Sequence, residues 1–105
     1  MDFVFAYITT KDKAQALEIG KALIDERLAG CVNIIDNMTS IYRWEGKVQS
    51  HSEVILIAKT SADKFGPLSN KVKQIHSDNC PCIVSVPVTG GNWAYLNWLS
   101  SEIGG

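Results

Sequence analysis

CVNIIDNMTSIYRWEGKVQSHSEVILIAKT, residues 31–60, is rich in Val, Ile, Thr and Tyr from Cys31 to Trp44 and again from Lys47 to Thr60. Glu45-Gly46 stands between the two runs as a two-residue turn, so the stretch predicts one long β-hairpin. Arms of about 14 residues span roughly 45 Å at the usual strand rise. The helix predicted to precede them, over 12–29, covers only about 27 Å at its own rise. Unless bulges absorb the difference, the hairpin tip projects beyond its own domain, and a projecting ribbon with unpaired edges invites pairing with a neighbour.

Working outward from the hairpin, Val4, Ala6 and Ile8 alternate with Phe3, Phe5 and Tyr7, which makes the opening segment a strand that is apolar on both faces. Asp12 and Gln15 have capping-box spacing, and Leu17, Gly20, Ile24 and Leu28 recur at helical intervals until Gly30 offers a stop. After the hairpin, Ser61 is placed to cap a second helix in which Phe65, Leu68, Val72 and Ile75 share a face. Gly66-Pro67 predicts an irregular first turn there, with the regular helix beginning near Pro67. CIVSVPV, residues 82–88, reads as a fourth strand in which Pro87 favours an edge or a bulge. Gly90-Gly91 turns the chain, and Asn92 caps a short last helix carrying Trp93, Leu96 and Leu99. The order is that of an α+β, ferredoxin-like βαββαβ sandwich with a long hairpin and a C-terminal helix, forming a single domain over residues 1–105.

In that sandwich both helices pack on one face of the antiparallel sheet, and the other face should show polar alternation if it meets water. It does not: Val54, Leu56 and Ala58 alternate with Ile55 and Ile57, and the first and fourth strands are equally apolar on both sides. Further copies of the same chain would cover that face most cheaply. The totals narrow the remaining classes. Ten basic and eleven acidic residues give a net charge of −1 over 105 residues, with no basic block to form a nucleic-acid footprint. No apolar run approaches a membrane span. MDFVFAYITT reads as a strand and not as a signal peptide, and three cysteines without an export signal are expected as free thiols in the cytoplasm.

HSDNCPC, residues 76–82, is the densest cluster of ligating side chains. Pro81 biases Cys80 toward an extended conformation, which puts Cys80 and Cys82 on one face at the rim where the fourth strand begins. The end of the first strand, with Ile8 and Thr9, belongs at the same rim, and Cys31 at the opposite one. The metal ligands expected here are His76, Cys80 and Cys82, with Asp78 as a weak fourth; thiolates with an imidazole suit Cu(I) better than a hard cation, and no cofactor is required for folding. Tyr42, Arg43 and Trp44 read as residues packing against a partner subunit, His51 as a solvated or hydrogen-bonded histidine, and Cys31 as a small buried apolar residue. Nucleophile elbow, phosphate loop and catalytic triad spacing are all absent, and Glu53 and Asp36 are isolated carboxylates, so no catalytic residue is assigned and an enzyme is not expected.

ERLAGCVNII, SIYRWEGKVQ, EVILIAKT and PVTGGNWAYLNWL, with the lone His76, resemble in order and spacing the CutA family of divalent-cation tolerance proteins. The most specific part is Tyr42, Trp44, Glu45 and Gly46, followed by Lys59-Thr60 and by Tyr95, Leu96 and Trp98. The resemblance implies a homotrimer of ferredoxin-like subunits whose hairpins pair between subunits, and a role in tolerance of copper and other divalent metals. The family cysteine proposed as a copper ligand aligns with Ile8, and a second histidine found in some members aligns with Ile75. Two other functions fit the same fold class: a small-ligand sensor similar to the PII-type regulators, which hold ligands between subunits, and a docking protein without chemistry.

Overall fold

The computed structural model describes residues 1–104. Its elements are β1 (Phe3–Thr10), α1 (Lys13–Asp25), β2 (Cys31–Trp44), β3 (Lys47–Ser61), a 3-10 turn (Ala62–Lys64), α2 (Phe65–Ile75), β4 (Ile83–Val88) and α3 (Trp93–Gly104). The four strands form one antiparallel sheet in the order β2-β3-β1-β4, which is the predicted βαββαβ sandwich. Glu45 and Gly46 have φ of 51° and 79°, both positive as a type I′ hairpin turn requires. The irregular turn lies upstream of Gly66-Pro67, as a 3-10 turn over Ala62–Lys64 that Ser61 precedes without a side-chain capping bond, and α2 is regular from Phe65, with Pro67 accommodated in its first turn. Pro87 lies on the edge strand β4, opposite Val4.

Antiparallel partners share a face. Val4, Ala6, Ile8 and Thr10 of β1 pair with Thr60, Ala58, Leu56 and Val54 of β3, and all eight are buried. Against this face lie Ile19 and Leu23 of α1 and Leu68 and Val72 of α2, fully enclosed and together forming the core. Burying a side chain of this size contributes about 1.5–3 kcal/mol.

Two features of α1 differ from the reading of its sequence. The stripe it buries is Ala16, Ile19, Gly20 and Leu23, whereas Leu17 and Ile24 are exposed. A Cβ on Gly20 would stand 3.1 Å from Val32 Cγ2, so the close approach of helix to sheet selects the small residues for the inner face. The helix also ends before Gly30. Leu28 N–H donates to the Leu23 carbonyl (2.9 Å) and Arg27 N–H to that of Ile24 (3.1 Å), the bond pair of a Schellman motif with Arg27 at φ 55° in the left-handed position. Gly30 is instead a packing residue, since a Cβ there would lie 2.6 Å from Leu99 Cδ1 of α3. Arg27 reaches the same helix, its guanidinium donating to the Glu102 carbonyl at 2.9 Å.

The opposite face of the sheet is the one the sequence leaves without helices. Part of it is covered by α3: Lys59 Nζ lies 5.4 Å from the Tyr95 ring centroid and 5.5 Å from that of Phe5. Val84 and Val86 remain 49% exposed. Beyond Val54, which pairs with Thr10, the hairpin has no third strand among the described residues, where 38–44 pair only with 47–53. A bulge at residues 36–37, with Asn37 at φ 63°, separates this ribbon from the sheet. The long axis of the molecule is 45 Å.

Candidate functional site

Where β1 stops at Thr10, β3 and the segment leading into β4 continue past it, and the gap between them is a groove of about 590 Å³. Its hairpin wall is set by strand alternation. Gln49, His51 and Glu53 point to the side opposite the helices, in phase with Ile55, Ile57 and Lys59. Tyr42 crosses from β2 and stacks on His51, with ring centroids 5.8 Å apart and planes at 28°. Trp44 lies nearer the tip.

The facing wall is the segment 76–82, pinned by side chains that α1 and β1 position. Asp12 caps α1 by accepting from Gln15 N–H (2.8 Å), and Gln15 Oε1 accepts from Lys11 N–H (3.0 Å). The Gln15 side-chain amide then donates to Ser77 Oγ at 2.9 Å. His76, 8% exposed, has Nε2 at 2.8 Å from the Thr9 carbonyl and receives Asp78 N–H on Nδ1 at 3.0 Å. A carbonyl only accepts and a backbone N–H only donates, so the imidazole is the neutral tautomer protonated on Nε2. Thr9 N–H donates to the Cys82 carbonyl (3.3 Å), extending the β1–β4 ladder one step beyond Ile8 and Ile83. Cys82 is thereby held on the rim beside the end of β1, as the topology predicted.

The three expected ligands are not brought together. Cys80 and Cys82 are exposed, free and on the groove, together with Asp78. His76 is turned away to Thr9, and both of its ring nitrogens are occupied. Among the described residues, no group of three His, Cys, Asp or Glu side chains is placed to hold a metal ion. Ile8, where the resemblance would put a ligating cysteine, is enclosed in the core. Cys31 is half-buried and pairs with Lys59, four positions along β3 from the Ile55 that faces Thr9, so it belongs to the other end of the sheet. The sequence reading missed His51 and Glu53 as groove residues. The period-two alternation from Gln49 to Lys59 carried that signal.

This is a ferredoxin-like domain with a protruding hairpin and a groove on the sheet face away from the core. The chain belongs to the CutA1 divalent ion tolerance protein family, whose pattern matches residues 4–102. It is 44% identical over 97 residues to the divalent-cation tolerance protein CutA of Thermus thermophilus, covering 92% of this chain and 94% of that one. Human protein CutA is 37% identical over 94 residues; this chain spans about half of its length (52%), and 54% of that of the chloroplastic CutA of Arabidopsis thaliana. Among solved structures, the periplasmic divalent cation tolerance protein CutA of Archaeoglobus fulgidus superposes with a TM-score of 0.94 at 36% identity, over 96% of this chain and 98% of that one. The Thermus thermophilus structure gives 0.93 at 42% identity, over 95% and 97%. No helix among the described residues is long and apolar enough to cross a membrane.

Proposed function

We propose that the protein acts in the cellular response to divalent metal ions, copper in particular, as a non-enzymatic homotrimer. The observation that carries the reading is family membership across residues 4–102 together with near full-length similarity to a bacterial protein named for divalent-cation tolerance. Assembly is supported by the ribbon. It exposes apolar side chains on both faces, Trp44 on one (54% exposed) and Ile41 and Val48 on the other (71% and 64%), and an isolated two-stranded hairpin is marginal in water. Further copies packed around the ribbon would cover these faces, and pairing along its edges would satisfy its free backbone groups. Three free thiols suit a reducing cytoplasm.

The test is growth of cells lacking the gene on graded copper, with and without the gene restored. Greater copper sensitivity that the wild-type gene reverses is the expected result, and unchanged sensitivity to copper and to other divalent metals overturns the reading. Native mass spectrometry of the untagged protein reports subunit number and retained ligand together. A trimer that retained a nucleotide would favour the small-ligand sensor instead.

A further inference from the structure

We infer that the groove between the hairpin and the segment 76–82 binds a short aliphatic diamine in its doubly protonated form, held by Glu53 on one wall and Asp78 on the other. The site goes beyond the metal-response reading and does not rest on it. Glu53 and Asp78 are the acidic residues of the lining, and no Lys or Arg stands among them. The ion pairs of the described residues are Lys13–Asp36 and Lys71–Glu26, so neither groove carboxylate is neutralised within the chain. A recess of about 590 Å³ with unpaired carboxylates on facing walls focuses negative potential between them. Both groups sit on constrained backbone. Glu53 is half-buried and directly precedes Val54, where β3 joins the three-stranded part of the sheet. Asp78 N–H donates to His76 Nδ1, and His76 is itself fastened to the Thr9 carbonyl.

The surface beside the carboxylates suits an organic cation. His51 lies two residues from Glu53 on the same side of the strand and stacks on Tyr42, so the hairpin wall is aromatic next to its charge. Aromatic faces attract ammonium groups, and their apolar surface covers the methylenes between them. Thr9, Gln49 and Asn79 add neutral polar groups. The volume falls within the range of about 300–1,000 Å³ usual for small-molecule pockets. A bare divalent ion is served less well, because it takes six or more oxygens and no group of three His, Cys, Asp or Glu side chains converges among the described residues. An anion meets the wrong sign of potential. A diamine places one charge at each wall and its chain along the rings.

The experiment is calorimetric titration of the untagged, assembled protein with putrescine. One saturable site per chain is expected. 1,4-Butanediol, which keeps the body and lacks the charges, should not bind, and butylamine, with one ammonium group, should bind about tenfold or more weakly, the effect of one charge-assisted hydrogen bond. Glu53→Gln and Asp78→Asn should each weaken putrescine by about tenfold or more for the same reason, and Tyr42→Leu by severalfold. Asp63→Asn, exposed in the 3-10 turn away from the groove, should leave binding unchanged. Light scattering checks that the variants keep the parent's subunit number; Asp78 is exposed, so its variant decides the matter if Glu53→Gln disturbs assembly. Absence of saturable putrescine binding, unchanged affinity in Asp78→Asn, or equal affinity for butylamine overturns the site. So does full displacement of putrescine by equimolar Mg²⁺, which would reveal an acidic patch without selectivity. Copper sensitivity of cells bears on none of these outcomes, so the diamine site and the metal-response reading stand or fall separately.

Discussion

His76 donates through Nε2 to the carbonyl of Thr9 at 2.8 Å, across 67 positions of sequence, while its Nδ1 accepts from Asp78 N–H. The residue that looks most like a metal ligand is a clasp. It closes the end of β1 against the segment leading into β4 and so shapes one wall of the groove. Gln15 fastens the neighbouring Ser77 to the start of α1.

Replacing the clasp should cost stability. In His76→Leu the Thr9 carbonyl and the Asp78 N–H lose this partner in a part-buried setting where water can replace it in part, which costs about 0.5–1.5 kcal/mol. Gln15→Ala should couple to it, because both side chains hold one segment and the second loss finds it already loosened. Denaturant unfolding of the two single variants and the double variant measures this. Additive effects would show that the two contacts act independently, and an unchanged midpoint in His76→Leu would show that the segment is held elsewhere.

The fold was largely legible because its decisive signals are local. Positive φ at Gly46 is what a two-residue turn demands, and period-two alternation identifies β1 and β3 without knowledge of their partners. What misled the reading of α1 is tertiary. Leu17 and Ile24 are the larger apolar residues, yet the helix sits close enough to Val32 that Ala16 and Gly20 face the sheet. The helix stop is an arginine in a conformation usually left to glycine, and the nearby glycine answers to Leu99, about 70 positions away. The site was half legible for the same reason. The position of Cys82 beside Thr9 follows from the strand order, whereas the hydrogen bond of His76 to Thr9 and the placement of His51 and Glu53 across the groove depend on the β1–β4 and β2–β3 registers.

Gly30→Ala tests the packing account of that glycine. The new methyl would meet Leu99 Cδ1 at 2.6 Å, and Leu99 is itself 1% exposed with nowhere to move. Overpacking of this kind costs about 1–3 kcal/mol. Leu99→Val in the same chain should recover part of it by removing the clash, so the double variant should be more stable than the sum of the two single changes predicts. If Gly30→Ala melts like the parent, α3 does not dock as tightly as this contact implies.

The hairpin turn offers a gain as well as a loss. Glu45 is held at φ 51°, a region asparagine tolerates far better, and Asn-Gly is the preferred pair for a type I′ turn. Glu45→Asn should therefore stabilise the protein by a few tenths to about 1 kcal/mol. Gly46→Ala places a Cβ at φ 79°, where no neighbour lies within 4 Å but the backbone itself objects, and should cost about 1–2 kcal/mol. Opposite signs are expected in thermal melts of the two variants; a destabilised Glu45→Asn would mean that the glutamate makes a contact in the assembly that the single subunit does not contain.

Trp44 separates subunit stability from assembly. It is 54% exposed at the end of a ribbon that no third strand supports, so within one subunit its indole buries little and its removal should scarcely disturb the fold. In the proposed trimer it becomes an aromatic anchor, and truncating such a residue commonly costs 2 kcal/mol or more of association energy, roughly a thirtyfold shift in a dissociation constant. Trp44→Ala should thus dissociate at about thirtyfold higher protein concentration than the parent in sedimentation or light scattering, with its circular dichroism intact. Ile41→Ser, on the other face of the ribbon at 71% exposure, should weaken assembly as well, because a neighbour that covers only one face would leave the other in water. Unchanged assembly in both variants would show that the ribbon is not the contact between copies, and a parent protein that is a folded monomer at micromolar concentration would remove the trimer altogether.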